Sequence, residues 1–329
     1  MLHRPRKASS PTMQAFIVVV LWSKVRCLVK DETGNSFAHE AGVWVQPLNE
    51  VWFTSNLFSQ GLTSQTEGLA RMRVDISAVN VSTGGGFVLF CDQGGDIEQS
   101  SKLILVDPEN PHRAQNLINN FYGRQFNALN DVIVLPPPHG RHAEFVQSSD
   151  DIESRQELPK GSTIWFSTYG FEQSFRPAPQ LPSQVHALDP HTGRIKVVAD
   201  RFDHPNGIAF SPDGSICYIT DTSHIHGTIK LDPHLQSTIY AQQNRRVLPF
   251  ADTGVPDGIK CDVIRNVYAG CRDGIHVWND SYGTLIGRIV LRAADSNLGL
   301  GCANFCFIPG GKLVCFSENR VYLVEGLKV

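Results

Sequence analysis

Short apolar runs recur along this chain, each entered through a polar or acidic residue and left through a turn rich in Pro, Asp and Gly. The clearest copy is Asp203 to Asp221, DHPNGIAFSPDGSICYITD. Pro205-Asn206-Gly207 reads as a turn, Ile208-Ala209-Phe210 as an apolar strand core, Ser211-Pro212-Asp213-Gly214 as a tight turn, and Ile216 to Thr220 as a second β-rich run. The stretch predicts a β-hairpin with a polar entrance. Asn130-Asp131 before Val132-Ile133-Val134, Asp257-Gly258 before Ile259-Lys260-Cys261, and Asn304 before Phe305-Cys306-Phe307 repeat the pattern. A second strand follows each of these, at Ile164-Trp165-Phe166, Val267-Tyr268-Ala269 and Leu313 to Phe316.

Between the hairpins a strand, an Asp-Pro pair and another strand recur at Leu105 to Pro108, Ala187 to Pro190 and Lys230 to Pro233. The repeating unit is therefore four strands, and its period of roughly 45–50 residues fits propeller blades rather than helical solenoids. The expected fold is all-β: a β-propeller of about six blades, each a four-stranded antiparallel sheet. The ring is expected over residues 37–329, opening at Phe37 to Trp44 with Glu40 at the first entrance. Residues 1–36 form a separate, partly flexible N-terminal segment. Within it Ala15 to Trp22 is apolar and follows Arg4-Pro5-Arg6-Lys7, as in a signal-peptide core, but Trp22-Ser23-Lys24 is a poor cleavage site. The preferred reading is a strand that pairs with the last blade, which ends at Arg320 to Val324, and so removes the free edges of an open ring.

Composition narrows the partners more than the fold. The formal net charge is −3 and the basic residues cluster only at Arg4 to Lys7, so nucleic acid is not an expected partner. No stretch approaches the roughly 20 apolar residues of a membrane span, and no membrane partner is expected. The 8 cysteines include no compact CxxC pair and mostly fall in predicted strands, where they read as small buried hydrophobes. Asn80-Val81-Ser82 and Asn279-Asp280-Ser281 match the glycosylation pattern, which is common by chance and leaves the compartment open, with cytoplasm favoured over secretion.

Innermost propeller strands run beside the central channel, so residues at equivalent entrances converge near the axis. Glu40, Asn206 and Asp257 then supply one amide and two carboxylate oxygens. Each alone reads as a turn or cap residue, but their shared repeat position points to a site for one divalent cation. Hard oxygen donors without His or Cys favour calcium, admit magnesium or manganese, and disfavour zinc and copper. Two long connections, Pro136 to Gly161 and Tyr169 to Pro182, are candidates for the rim. The second carries Phe171, Phe175 and Arg176, which read either as one wall of a substrate pocket, with Arg176 in contact, or as a loop merely packed on the rim.

HEAGVW, LNDV, PNGIAFSPDG with YITDT, and VPDGI, in that order, resemble the regucalcin/gluconolactonase family of calcium-dependent lactonases. NNFYGRQFNALNDV and SFRPAPQLPSQV are similar to the fungal lactonohydrolases in particular, and the resemblance runs from about Phe37 to the C-terminus. It implies metal ligands at Glu40, Asn206 and Asp257 and a metal-proximal or substrate-contacting residue at Asn130. At Asp131 it implies substrate contact or hairpin support. It also implies hydrolysis of a small polar lactone: the cation polarises the carbonyl, an oriented water attacks, and Asp257 is the general base. Where these relatives usually read WFTDP before a Tyr-Gly pair, this chain has Trp165-Phe166-Ser167-Thr168-Tyr169-Gly170. Two further readings stand beside hydrolysis. One is a biosynthetic enzyme using the same site for ring opening, isomerisation or closure of a larger product; the other is a calcium-binding or scaffold propeller whose altered Ser167-Thr168 loop has lost catalysis.

Overall fold

The computed structural model describes residues 24–32, 36–45, 48–55, 58–60, 64–66, 69–73, 87–94, 100–107, 114–137, 158–169, 178–223, 228–233, 245–291 and 301–327. Its regular elements are strands throughout, in a propeller-like arrangement of antiparallel sheets. The first sheet comprises Glu40–Val45, Glu50–Thr54 and Leu69–Arg73, and the second Val88–Asp92, Lys102–Val106 and Ala114–Ile118. The third contains Ala128–Leu135, Thr163–Tyr169, Gln184–Leu188 and Ile195–Ala199; the fourth Pro205–Phe210, Ile216–Asp221, Thr228–Pro233 and Arg246–Phe250. The fifth is built from Ile259–Cys261, Asn266–Cys271, Gly274–Asn279 and Leu285–Val290. Asn304–Ile308, Lys312–Ser317 and Arg320–Glu325 make the sixth, with Lys24–Lys30 as its outer strand. The four-strand unit read from the repeat is thus complete in four sheets, while two hold three strands among the described residues.

Strand alternation produces the packing. Along Thr163–Tyr169, Ile164 and Phe166 join a core shared with Leu103 of the second sheet, whereas Trp165 between them joins Ile208, Cys217 and Ile219 of the fourth. A period-2 strand with both faces apolar needs a sheet on each side. The same logic runs round the molecule. Val45 and Trp52 meet Val88 and Val106; Tyr218 and Ile229 meet Ile259 and Val267; Tyr268 and Val277 meet Phe305 and Tyr322. Finally Val314, Phe316 and Val321 of the sixth sheet pack on Val51 and Phe53 of the first and on Ala38, which precedes it.

The N-terminal strand runs antiparallel to Arg320–Glu325 from Lys24↔Glu325 to Lys30↔Arg320, with one shift of register between Cys27 and Val29. Its Val25 packs on the core between the fifth and sixth sheets and its Leu28 on the core between the sixth and first. Ala15 to Trp22, the stretch expected to make this pairing, lies outside the described residues, as does most of the Pro136 to Gly161 insertion.

Two local readings are corrected. Pro205-Asn206-Gly207 is not a turn: all three residues are buried inside the strand Pro205–Phe210. Ser167-Thr168 is not a loop either, since both are fully buried within Thr163–Tyr169. Ser167 Oγ donates to the carbonyl of Asn206 and Thr168 Oγ1 to that of Gln184, so polarity that reads as a loop is satisfied inside a sheet.

Candidate metal centre

Three inner strands are bulged where they carry the predicted residues. In the first sheet the register shifts between Ala41 and Val43, just after Glu40; in the third between Leu129 and Val132, around Asn130-Asp131; in the fourth between Pro205 and Ile208, around Asn206-Gly207. A bulge sets two residues against one on the partner strand and re-aims a side chain that strict alternation would send into a sheet face. Here the re-aimed groups face one cavity of about 400 Å³, lined by Glu40, Asn130, Asp131, Asn206 and Asp257 with His39 beside them.

The polar atoms of this cavity fall into two sets. Asp131 is spent on the backbone: Oδ1 accepts from the amide of Val132 at 2.8 Å and Oδ2 from the amide of Ile208 in the next sheet at 2.8 Å. Of its two sequence readings, these bonds match hairpin support. By contrast Asn130 Oδ1, Asn206 Oδ1 and Asp257 Oδ1 are buried without a protein partner. Glu40 Oε2 accepts one long bond from Asn304 Nδ2, at 3.4 Å. Unpaired buried oxygens cost free energy, and those around this cavity have a donor set suited to a hard cation.

Electrostatics agrees. Burial raises the Asp257 carboxyl well above its ordinary value; the nearby Glu40 adds to this, while His39 and a hydrogen bond from Asn206 oppose it. Glu40 is also raised, by burial first and then by Asp131, with His39, Asn304 and Lys260 in opposition. Two buried carboxyls that repel one another are relieved by a shared positive charge.

His39 is the residue sequence reasoning passed over. Potential donor atoms of His39, Glu40 and Asp257 lie within 4.8 Å of one another. Its Nδ1 is 2.5 Å from Glu318 Oε1 and its Nε2 3.6 Å from Glu40 Oε1. Burial lowers the imidazole, but the bond to Glu318 and the charges of Glu40 and Asp257 outweigh that and hold it up, at about 10. It therefore pairs with the two carboxylates beside it and stands with Glu40 and Asp257 as one of three residues whose donor atoms could share a metal ion. Its signal was its place directly before Glu40 in HEAGVW. Arg176 lies outside the described residues.

Glycine explains how neighbouring entrances come so close. A Cβ on Gly207 would sit 2.7 Å from the carbonyl oxygen of Asp257 and 2.8 Å from the amide nitrogen of Ile259; one on Gly258 would sit 2.4 Å from Asn304 Cγ. The glycines of Asn206-Gly207 and Asp257-Gly258 therefore serve inter-sheet approach rather than a turn. Gly207→Ala is expected to destabilise the protein by about 1–3 kcal/mol, read from denaturant unfolding. Unchanged stability would mean that these strands separate without cost.

The fold and site together define a propeller-like all-β protein with an oxygen-lined axial cavity. The SMP-30/gluconolactonase/LRE-like region matches residues 100–304, more than half of the chain, and the chain belongs to that family. It is 31% identical to the lactonohydrolase oryH of Aspergillus oryzae, over 83% of this chain and 72% of that protein. It is 25% identical to the lactonohydrolase oryL of the same fungus, over 76% of this chain but only 60% of oryL. Among solved structures, a gluconolactonase from Xanthomonas campestris superposes with a TM-score of 0.65 at 18% identity, covering 92% of this chain and 89% of its own. A calcium-binding protein, regucalcin, from Agrobacterium tumefaciens gives 0.53 at 14% identity, covering 91% and 92%.

Proposed function

We propose that this protein is a lactone hydrolase, a six-bladed propeller whose Glu40, Asn206 and Asp257 hold one divalent cation, with Asn130 beside it. The observation that carries this reading is the set of buried, unpartnered oxygens of Asn130, Asn206 and Asp257 around a single cavity. The oxygen-only set favours calcium, with magnesium and manganese as alternatives, and the calcium-binding description of the Agrobacterium neighbour is in keeping with it. Six blades follow if each of the six larger sheets is one blade, with cores between consecutive sheets and between the last and the first.

A bound cation supplies Lewis-acid polarisation of the lactone carbonyl. The chain supplies the rest. Asp257 presents Oδ1 to the cavity, while Asn206 bonds its carboxylate and fixes the rotamer. That carboxylate takes the proton of the attacking water, and burial makes it a better base than an exposed aspartate. His39, positively charged against Glu40 and Glu318, offsets negative charge building beside them. Leu89, Phe90 and Val132 give the cavity an apolar side, Asn130 and Thr222 a polar one, which suits a small polar lactone. Arg176 on the Tyr169 to Pro182 connection is assigned to substrate contact.

The test is a panel of sugar-type and pantolactone-type lactones, with and without chelator. Calcium-loaded protein is expected to hydrolyse at least one member. Chelation should cut the rate by about a hundredfold or more, and added calcium should restore it. Turnover indifferent to chelator would remove the cation from the reaction, and no turnover of any lactone by loaded protein would remove hydrolysis.

A further inference from the structure

Each of two buried hydroxyls stands opposite a bulge in its own sheet and reaches into the next sheet. Ser167 Oγ accepts from the amide of Asp131 at 3.0 Å and donates to the carbonyl of Asn206 at 2.7 Å. Thr220 Oγ1 accepts from the amide of Gly207 at 2.7 Å and donates to the carbonyl of Asp257 at 2.6 Å. The two strands place them equivalently. Ser167 falls between the pairs Leu129↔Thr168 and Val132↔Phe166, and Thr220 between Pro205↔Asp221 and Ile208↔Ile219. Each hydroxyl has one proton to give and a lone pair with which to receive, so each closes a bulge and clamps the next entrance with a single atom.

The pattern stops where the geometry changes. At the corresponding place in the fifth sheet stands Gly270, whose amide donates directly to the carbonyl of Gly258 at 2.9 Å. A Cβ there would meet the carbonyl oxygen of Cys302 at 2.2 Å. Backbone spans the gap alone, with no room for a hydroxyl. The two clamps therefore serve the third, fourth and fifth entrances, which carry Asn130, Asn206 and Asp257. Thr222, just past the end of the strand that carries Thr220, adds a bond to the carbonyl of Pro256 at 3.0 Å.

We infer that Ser167 and Thr220 are positioning residues for the metal centre, a hydroxyl relay that sets the spacing of oxygen donors contributed by successive sheets. Neither unpartnered oxygen of Asn206 or Asp257 is held by its own side chain's packing alone; each residue is fixed through the carbonyl on which a hydroxyl from the preceding sheet sits. The inference rests on the cation reading proposed above. It also gives Ser167, in the segment where this chain departs from its relatives, a specific task.

The experiment is calorimetric titration of calcium into wild type, Thr220→Val, Thr220→Ser, Ser167→Ala and the core control Ile219→Val, with metal-free melting recorded for each. Valine keeps the shape of threonine but neither gives nor takes a hydrogen bond. Thr220→Val and Ser167→Ala are expected to weaken calcium binding by about tenfold or more, the usual effect of removing a group that orients a ligand. Thr220→Ser should stay close to wild type, and Ile219→Val should bind normally even though it melts earlier. If Thr220→Val does not fold, Ser167→Ala decides. Wild-type affinity in the hydroxyl variants overturns the relay alone, as does an equal loss in Ile219→Val. A wild type that binds no calcium, magnesium or manganese overturns the cation reading and the relay with it.

Discussion

Asp257→Asn is expected to lose lactone turnover and calcium binding together while leaving the metal-free protein more stable than wild type. The substitution keeps the volume of a half-buried side chain, so the packing of the fifth entrance against Thr220 is undisturbed. What it removes is one of two neighbouring carboxyls raised by desolvation, Asp257 also by the charge of Glu40. Without a cation that repulsion is pure cost, so the metal-free melting temperature should rise by a few degrees. With a cation the same charge is both ligand and base, and kcat/KM should fall by about 10²–10⁴-fold, the range for removing a positioned general base. Kinetics, calcium titration and melting on one preparation check all three. Turnover and affinity at wild-type levels would take Asp257 out of the site.

Deleting residues 1–30 should produce the largest loss of stability. The deletion strips Lys24–Lys30 from the sixth sheet, breaks its ladder with Arg320–Glu325 and uncovers the cores that Val25 and Leu28 help to seal. Several backbone hydrogen bonds and two aliphatic side chains amount to several kcal/mol, so the melting temperature should drop on the order of 10 °C. The uncovered strand is also an unpaired edge, so the truncated protein should self-associate on heating. A truncated protein that melts with wild type and stays monomeric would show that the three C-terminal strands close the molecule by themselves.

The hairpins, the order of the entrances and the convergence of Glu40, Asn206 and Asp257 on one cavity were legible in the sequence because the repeat places like residues at like positions. What the repeat hid was how they converge. Asn206 and Gly207 look like a turn because the pair is so often one, yet here Asn206 is a bulge residue and Gly207 a close-contact residue, a distinction that depends on the neighbouring sheet. Asp131 read either as substrate contact or as hairpin support, and the sequence could not choose, because one of the two backbone amides on its carboxylate comes from a sheet whose register no local pattern reveals. His39 was missed for the same reason: its partner Glu318 is almost a full chain length away. The closing strand fell just beyond the apolar run expected to provide it, because an outer strand with one side open to solvent, as in KVRCLVK, needs little apolar character.

The pairing of Lys30 with Arg320 also fixes an order of events during synthesis. The outer strand emerges before every other described strand and its partner after all of them, so that strand has no place to dock while the first five sheets are being made. Each intermediate sheet can form on its predecessor as it emerges, while the seal waits for the sixth. Closure is therefore a single late, long-range step. Until it occurs the nascent protein carries two raw sheet edges, which makes that interval the one in which a chaperone holding the N-terminal segment would most improve the yield of native protein.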